Sequence, residues 1–363
     1  MKTSCSMILA AEPEPNRRWH ATVVLLLVMA VLSACTRPQP YLALQGRTMG
    51  TTYHIRYQGS AATPAPEALQ QRVDARLQAI NRSMSTYQAD STISAFNQAP
   101  PGTQVPIDTD FAQVLALSQQ VHQASNGAFD PGVGSLVNLW GFGWPKPTQP
   151  LTQPPTPAAI AAARGHFGQL PAPQDGHLHK PAPMRLDFSA IAKGYGVDAV
   201  AEVLREQGVQ NYMVEIGGEV ATRGQGPQGE RWRIGIEAPG TAPGEKTVLL
   251  RLHLGEAALA TSGNYRNFVE IGGIRYTHII DPATGYPVRE PPLSVSVLAP
   301  SAAWADAWAT AFMVLDEEQG LALAEKQGLA VYWVYGTADA PRMRHSSKMV
   351  SYLEAAEVAK FDK

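Results

Sequence analysis

Six short apolar runs follow one another along the second half of the chain, at Asn211–Ile216, Trp232–Glu237, Val248–Leu254, Asn267–Ile271, Tyr276–Ile280 and Ser294–Leu298. Runs of this length, rich in Val, Ile and aromatic residues and separated by turn residues, read as strands joined by hairpins. Helical spacing dominates elsewhere. Leu69, Val73, Leu77 and Ile80 predict an amphipathic helix over about Pro66 to Ser83, and Phe111, Val114, Leu115 and Val121 a second one after Asp108. A third, from Ile191 to Gln207, stops at Gly208, where a left-handed residue closes a helix well. Helices over Ala302–Val314 and Glu317–Lys326, a first strand at Thr51–Tyr57 and a last one at Ala330–Tyr335 complete the pattern. An order of strand, helices, then many hairpin-like strands and helices implies an α+β protein with mixed sheets.

The N-terminus reads as an export signal. Arg17 and Arg18 precede an apolar run from Ala21 to Leu32, which is short for a membrane span. Leu32-Ser33-Ala34-Cys35 follows, and it resembles a bacterial lipobox. That makes residues 1–34 a signal peptide, Cys35 the lipidated first residue, and 35–45 a tether kept extended by Pro38 and Pro40. The domain then runs from 46 to 345, with a tail from 346 to 363. Cys5 and Cys35 are the only cysteines, so an exported domain has no disulfide and must rely on its core. Cysteine zinc sites are excluded for the same reason, and no HExxH is present. With a net charge of −2 and no basic run, nothing suggests a nucleic-acid partner.

The chemistry-bearing residues cluster in glycine-marked segments. His278 and Asp281 end an apolar run and enter a turn with Pro282 and Gly285. A strand feeding a turn suits a general base and its orienting partner, although a lone histidine there also suits a hydrogen-bonded core. Asp306 and Thr310 stand four apart on one helical face, and an acid with a hydroxyl suits a hard cation such as Mg²⁺. Lys193 lies in the first turn of a helix, where it opposes the dipole but would assist a phosphate. The loop from Gly127 to Gly134 offers backbone groups for a phosphate or ring edge, and Tyr87 offers a stacking face. Met49-Gly50, Glu215–Glu219 and Thr261–Tyr265 read from the residues alone as either ligand loops or simple turns. Trp144 to Pro183 holds ten prolines and one short helix, Ala158–Arg164, and reads as a surface excursion.

In chain order, MGTTY, STY, AFDPGVG, LDFSAIAKGYGVD, EIGGEV, TSGNYRN, THIIDPATGYP and SVSVLAP with ADAWATAFM resemble the motifs of the ApbE family, the FAD:protein FMN transferases. The resemblance runs from Met49 to about Trp333. It implies a T-fold-related α+β architecture, with mixed sheets flanked by helices in two interlocked subdomains. It implies Mg²⁺-dependent transfer of FMN from FAD to a threonine or serine hydroxyl of a target protein, with AMP leaving. It further implies that Met49, Tyr87, Ala128, Phe129, Asp130, Asp187, Lys193 and Ile280 contact FAD. Asp306, Thr310 and the Ala190 carbonyl would hold Mg²⁺, while His278, with Asp281 beside it, would activate the acceptor hydroxyl. Target flavoproteins of respiratory electron-transfer complexes, met on the periplasmic side of the inner membrane, would be the partners, with the outer membrane an alternative address. A Mg²⁺-dependent FAD pyrophosphatase would need nearly the same residues. A lipoprotein that carries FAD without turnover would not need the metal.

Overall fold

The computed structural model describes residues 40–165, 167–240, 247–264, 267–337, 339–353 and 355–358. The expected signal peptide, Cys35, and Tyr265 with Arg266 of the TSGNYRN motif lie outside the described residues.

The elements follow in order. β1 (Tyr41–Thr48) and β2 (Thr51–Gln58) form a hairpin, then come α1 (Pro66–Met84), α2 (Thr92–Gln98), β3 (Gln104–Pro106), α3 (Thr109–Ala124) and α4 (Gly134–Leu139). The proline-rich stretch contributes α5 (Pro157–Arg164), β4 (Pro173–Gln174) and β5 (His177–His179). After α6 (Ala192–Glu206) run β6 (Tyr212–Ile216), β7 (Glu219–Arg223), β8 (Trp232–Glu237), β9 (Val248–Leu254), β10 (Ala257–Gly263), β11 (Phe268–Ile271), β12 (Ile274–Thr277) and β13 (Ser294–Ala299). α7 (Ala302–Val314), α8 (Glu317–Gln327), β14 (Ala330–Thr337), β15 (Ala340–His345), a 3₁₀ turn (Ser347–Tyr352) and α9 (Ala355–Val358) end the chain.

Among the described residues, eight strands make one sheet in the order β1-β2-β6-β7-β10-β13-β14-β15. The α+β class expected from the sequence holds, but every named strand pair is antiparallel, so the sheets are not mixed. From Tyr41 onward the described residues form one compact unit. Successive side chains point to opposite faces of a strand. In β14, Val331 and Trp333 therefore join the core under α7, while Tyr332 and Val334 join a second core with Leu250, Leu252 and Met349. Helices thus cover one face of the sheet, and the β8–β9 hairpin with the 3₁₀ turn covers the other.

Three boundaries differ from expectation. Tyr41–Gln45, expected as tether, is paired strand, because Leu44 is buried opposite Ile55 in the β1–β2 ladder. The tail beginning at Ser346 is part of the domain. Ser346 Oγ donates to Leu329 O at 2.6 Å, and Met349 is buried. The strand expected at Tyr276–Ile280 ends at Thr277, since the chain turns at His278 to bond backwards, Val288 N donating to Ile279 O at 2.8 Å. No helix among the described residues is long and apolar enough to cross a membrane.

α7 is apolar on nearly every side and runs through the main core. Its N-terminus crosses α6 so closely that a Cβ on Gly194 would lie 2.3 Å from the Ala302 carbonyl oxygen. At that crossing each helix caps the other. Asp198 of α6 accepts from Ala302 N at 2.8 Å, from Ala303 N at 2.9 Å and from Ser301 Oγ at 2.8 Å. Asp306 of α7 accepts from Gly194 N at 3.0 Å through Oδ2. Buried donors at a helix start need such partners. Asp198→Ala leaves three of them unmet and should cost about 1–3 kcal/mol of stability, read as a lower urea midpoint at unchanged slope. A midpoint equal to that of the unmutated protein would show that the cap contributes nothing.

Candidate active site

The α6–α7 crossing, the loop after α3, and the turn after β12 enclose a cavity of about 380 Å³. Most residues expected at the site line it. Ala128, Phe129 and Asp130 come from the loop after α3, and Asp187, Ala190 and Lys193 from the entry to α6. His278 and Ile280 come from the turn, Asp306 and Thr310 from α7, and Tyr87 from the loop after α1.

Two expected residues are not among those lining it. Asp281, expected beside His278, instead closes its own turn. Its Oδ1 accepts from Ala283 N and its Oδ2 from Thr284 Oγ1, both at 2.8 Å. That is the usual work of an aspartate at the start of a turn, and it engages both oxygens of Asp281 there. Met49 sits at φ 47° in the two-residue β1–β2 turn with Gly50 at φ 74°, and its thioether packs over Gly196 of α6. The Gly127–Gly134 loop, expected to have free backbone groups, uses several internally. Phe129 N donates to Ser125 Oγ at 3.1 Å, Gly132 N to Asp130 Oδ1 at 2.6 Å, and Gly134 N to Arg185 O at 3.2 Å. His122 supports the same loop from behind, its Nδ1–H meeting Phe129 O at 2.9 Å.

The sequence pattern that defines the ApbE family matches residues 49–333. The chain belongs to the ApbE family. A relative from Haemophilus influenzae called FAD:protein FMN transferase is 39% identical over 343 residues, covering 92% of this chain and 98% of the relative. One of the same description from Vibrio cholerae is 39% identical over 342 residues, covering 93% and 99%. Among solved structures, the flavin transferase ApbE from Vibrio cholerae superposes with a TM-score of 0.78 at 39% identity, covering 87% of this chain and all of that one. The apo flavinyl transferase ApbE from Pseudomonas stutzeri gives 0.79 at 36% identity, covering 87% and 98%.

In this ApbE-family chain, three charges meet at the helical wall of the cavity. Lys193 Nζ lies 2.7 Å from Glu219 Oε1 and 3.7 Å from Asp306 Oδ1. Burial alone would lower the Lys193 pKa, but Asp306 and Glu219 overcome it and hold the ammonium above its ordinary range. The two acids also offset the dipole conflict that the lysine position creates. Burial pushes Glu219 up to about 8; Lys193 opposes that rise and Asp306 reinforces it. Glu219 Oε2 is buried without a hydrogen-bond partner. Glu219 was hidden in the EIGGEV motif, whose paired glycines form the β6–β7 turn and thereby return the acid to the cavity. Thr261 and Ser262, expected in a loop, end β10 and line the cavity, Ser262 Oγ lying 3.4 Å from Thr310 Oγ1.

These groups suit a divalent cation. The Asp306 carboxylate, the Thr310 hydroxyl and the Ala190 carbonyl are all hard oxygen donors, and with Glu219 largely protonated near neutral pH, Asp306 and Lys193 balance in charge. Among the described residues no group of three or more His, Cys, Asp or Glu forms a metal cluster. Oxygen donors with few carboxylates match Mg²⁺, which fills its remaining positions with water and substrate phosphate.

His278 lines the same cavity. Its Nδ1 lies 3.0 Å from the Asn267 carbonyl oxygen, which can only accept, so Nδ1 bears the hydrogen and Nε2 is the basic nitrogen. Burial lowers the imidazole pKa below its ordinary 6.5, against the bond to Asn267 and with help from the Lys193 charge. A proton-detected NMR titration should therefore place the His278 midpoint below 6.5. The linked stability is present above 6.5 and is lost as pH falls through the folded-state value. A midpoint at or above 6.5 contradicts the assigned burial.

Proposed function

We propose that this chain transfers FMN from FAD to a threonine or serine hydroxyl of a partner protein and releases AMP. The observation that carries the reading is that two unlike sets of groups line one cavity. A neutral imidazole with a free Nε2 is one, and an oxygen-donor set with a lysine is the other. Phosphoryl-type transfer needs little else: a positioned nucleophile, a base, and positive charge at the pyrophosphate.

The acceptor hydroxyl oxygen forms a bond to the FMN phosphorus while the bond from that phosphorus to the bridging oxygen breaks. The hydroxyl proton passes to His278 Nε2, and AMP leaves with the bridging oxygen. Asp306, Thr310 and the Ala190 carbonyl would hold Mg²⁺, which supplies charge neutralisation on the pyrophosphate. Lys193, held in place by Glu219, adds a fixed positive charge on the same wall. The loop of Ala128, Phe129 and Asp130, with Tyr87, Asp187 and Ile280, binds the rest of FAD.

In the same reading Cys35 carries an acyl anchor and holds the domain on the periplasmic side of the inner membrane. Flavoproteins of respiratory electron-transfer complexes are then the acceptors within reach. The support is the Leu32–Cys35 pattern after an apolar run.

Incubating the protein with FAD, Mg²⁺ and a threonine-containing acceptor should yield AMP and an acceptor heavier by FMN less one water in the mass spectrum. AMP with free FMN and no adduct would instead mean a hydrolase, and bound FAD without products a carrier. His278→Ala should lower kcat by about 10²- to 10⁴-fold. Asp306→Asn keeps an acceptor for Gly194 N but removes the charge, so it should lower Mg²⁺-dependent turnover by about 10²-fold or more with stability little changed. Full activity in that variant refutes the metal assignment.

A further inference from the structure

One segment at the site is absorbed by none of the roles above. Trp140-Gly141-Phe142-Gly143-Trp144 leaves α4 and passes beside the turn that carries His278. Its three aromatics serve three places. The Trp140 indole is fully buried and donates to Gly285 O at 2.9 Å, with Tyr276 5.3 Å away, centre to centre. Trp144 packs on Tyr87 at 5.3 Å, at the cavity edge. Between them, Phe142 is buried and meets the His278 ring edge-to-face, centres 6.3 Å apart and planes at 67°.

The backbone under Phe142 is held firmly. Phe142 N and Gly143 N both donate to Val137 O, at 2.9 and 3.1 Å, and Lys146 Nζ donates to Phe142 O at 3.0 Å. A Cβ at Gly143 would meet Asn138 Oδ1 and come within 3.1 Å of the Asn138 Cα, so glycine lets the segment lie close against α4. Phe142 is therefore a fixed wall. His278, by contrast, shows one ring hydrogen bond, to Asn267 O. A single bond selects a tautomer only while the ring keeps its plane, because a tilt about Cβ–Cγ carries Nδ1 out of line with the Asn267 carbonyl.

We propose that Phe142 is a positioning residue for His278, its ring packed edge-to-face with the imidazole and keeping it in the plane where Nδ1–H meets Asn267 O and Nε2 is left as the base. The inference rests on the transfer reading for its kinetic consequence, but not for its structural one. An edge-to-face pair is enough to bias the ring toward that plane about two- to tenfold. A leucine of similar bulk keeps the apolar contact and loses that directional bias.

The test uses the full chain with ¹⁵N-labelled histidine rings, the His278 signals being assigned by their loss in His278→Gln. The unmutated protein should show the Nδ1–H tautomer. Phe142→Leu should shift the His278 ring nitrogens toward the averaged values of a mixed population. It should also lower kcat about 10-fold while KM for FAD stays within about twofold. Phe142→Tyr, which keeps the aromatic edge, should restore both the signature and kcat. A Phe142→Leu protein with an unchanged ring signature and unchanged kcat overturns the proposal, as does a failure of Phe142→Tyr to restore the signature. The ring signature is read without turnover, so a fully active His278→Ala enzyme would refute the general-base reading and leave the role of Phe142 to be decided by the spectrum.

Discussion

The site depends on one close contact, the crossing of α6 and α7 at Gly194. Backbone meets backbone there because no side chain intervenes. The approach lets each helix use an acid of the other as its N-terminal cap, Asp198 for α7 and Asp306 for α6. A buried carboxylate is costly unless its oxygens are satisfied. Asp306 divides its two between purposes. Oδ2 holds the Gly194 amide, and Oδ1 lies toward Lys193. The residue assigned to the metal is thus also part of the helix joint, so its position is set by the main core rather than by the ligand.

The histidine wall is built on different ground. It stands on the β11–β12 hairpin, which is paired only with itself among the described residues. A small cluster of Leu136, Trp140, Phe142, Ile160, Ile271 and Ile280 lies beneath it. The proline-rich excursion, which looked like surface decoration, supplies part of that base. Ile160 of α5 sits where a Cβ on Gly285 would meet it at 2.6 Å, so the turn rests directly on the excursion. The wall of Asp306 and Thr310 therefore inherits the rigidity of a large core, whereas His278 is held by a satellite cluster and a few aromatic rings.

This division also explains what the sequence could tell. Long periodic helices such as Pro66–Met84 and Ala302–Val314 were legible because Leu69, Val73, Leu77 and Ile80, or the alanine-aromatic run of α7, repeat on the helical period. β10 was not, since Ala257–Gly263 is built of small residues that are poor strand formers; it is a strand because both its faces are covered. β15 is an edge strand with a proline and two arginines, a composition that suits an open edge and hides the strand. At the site, residues whose type is out of place locally were found, such as Lys193 at a helix start. Asp281 was placed beside His278 by nearness in sequence, but its carboxylate is spent on its own turn. Glu219 and Phe142 were missed because an acid after a glycine pair and an aromatic near a proline stretch are ordinary locally. Only the tertiary fold brings them to the cavity.

The charges on the helical wall carry a further consequence for the proposed reaction. With Glu219 largely protonated near neutral pH, Lys193 and Asp306 balance, so the wall by itself offers a dianionic pyrophosphate no net attraction. A divalent cation held there would make the wall attractive, and the pyrophosphate would in turn supply oxygens that three protein donors leave unfilled. Nucleotide and metal then favour each other's binding through the same three side chains. Their coupling is reciprocal by linkage, and it needs no movement of the fold. The Gly194 crossing keeps this arrangement ready, because a joint shared by two helix caps cannot relax to bring a second cation side chain toward Asp306 without losing both caps.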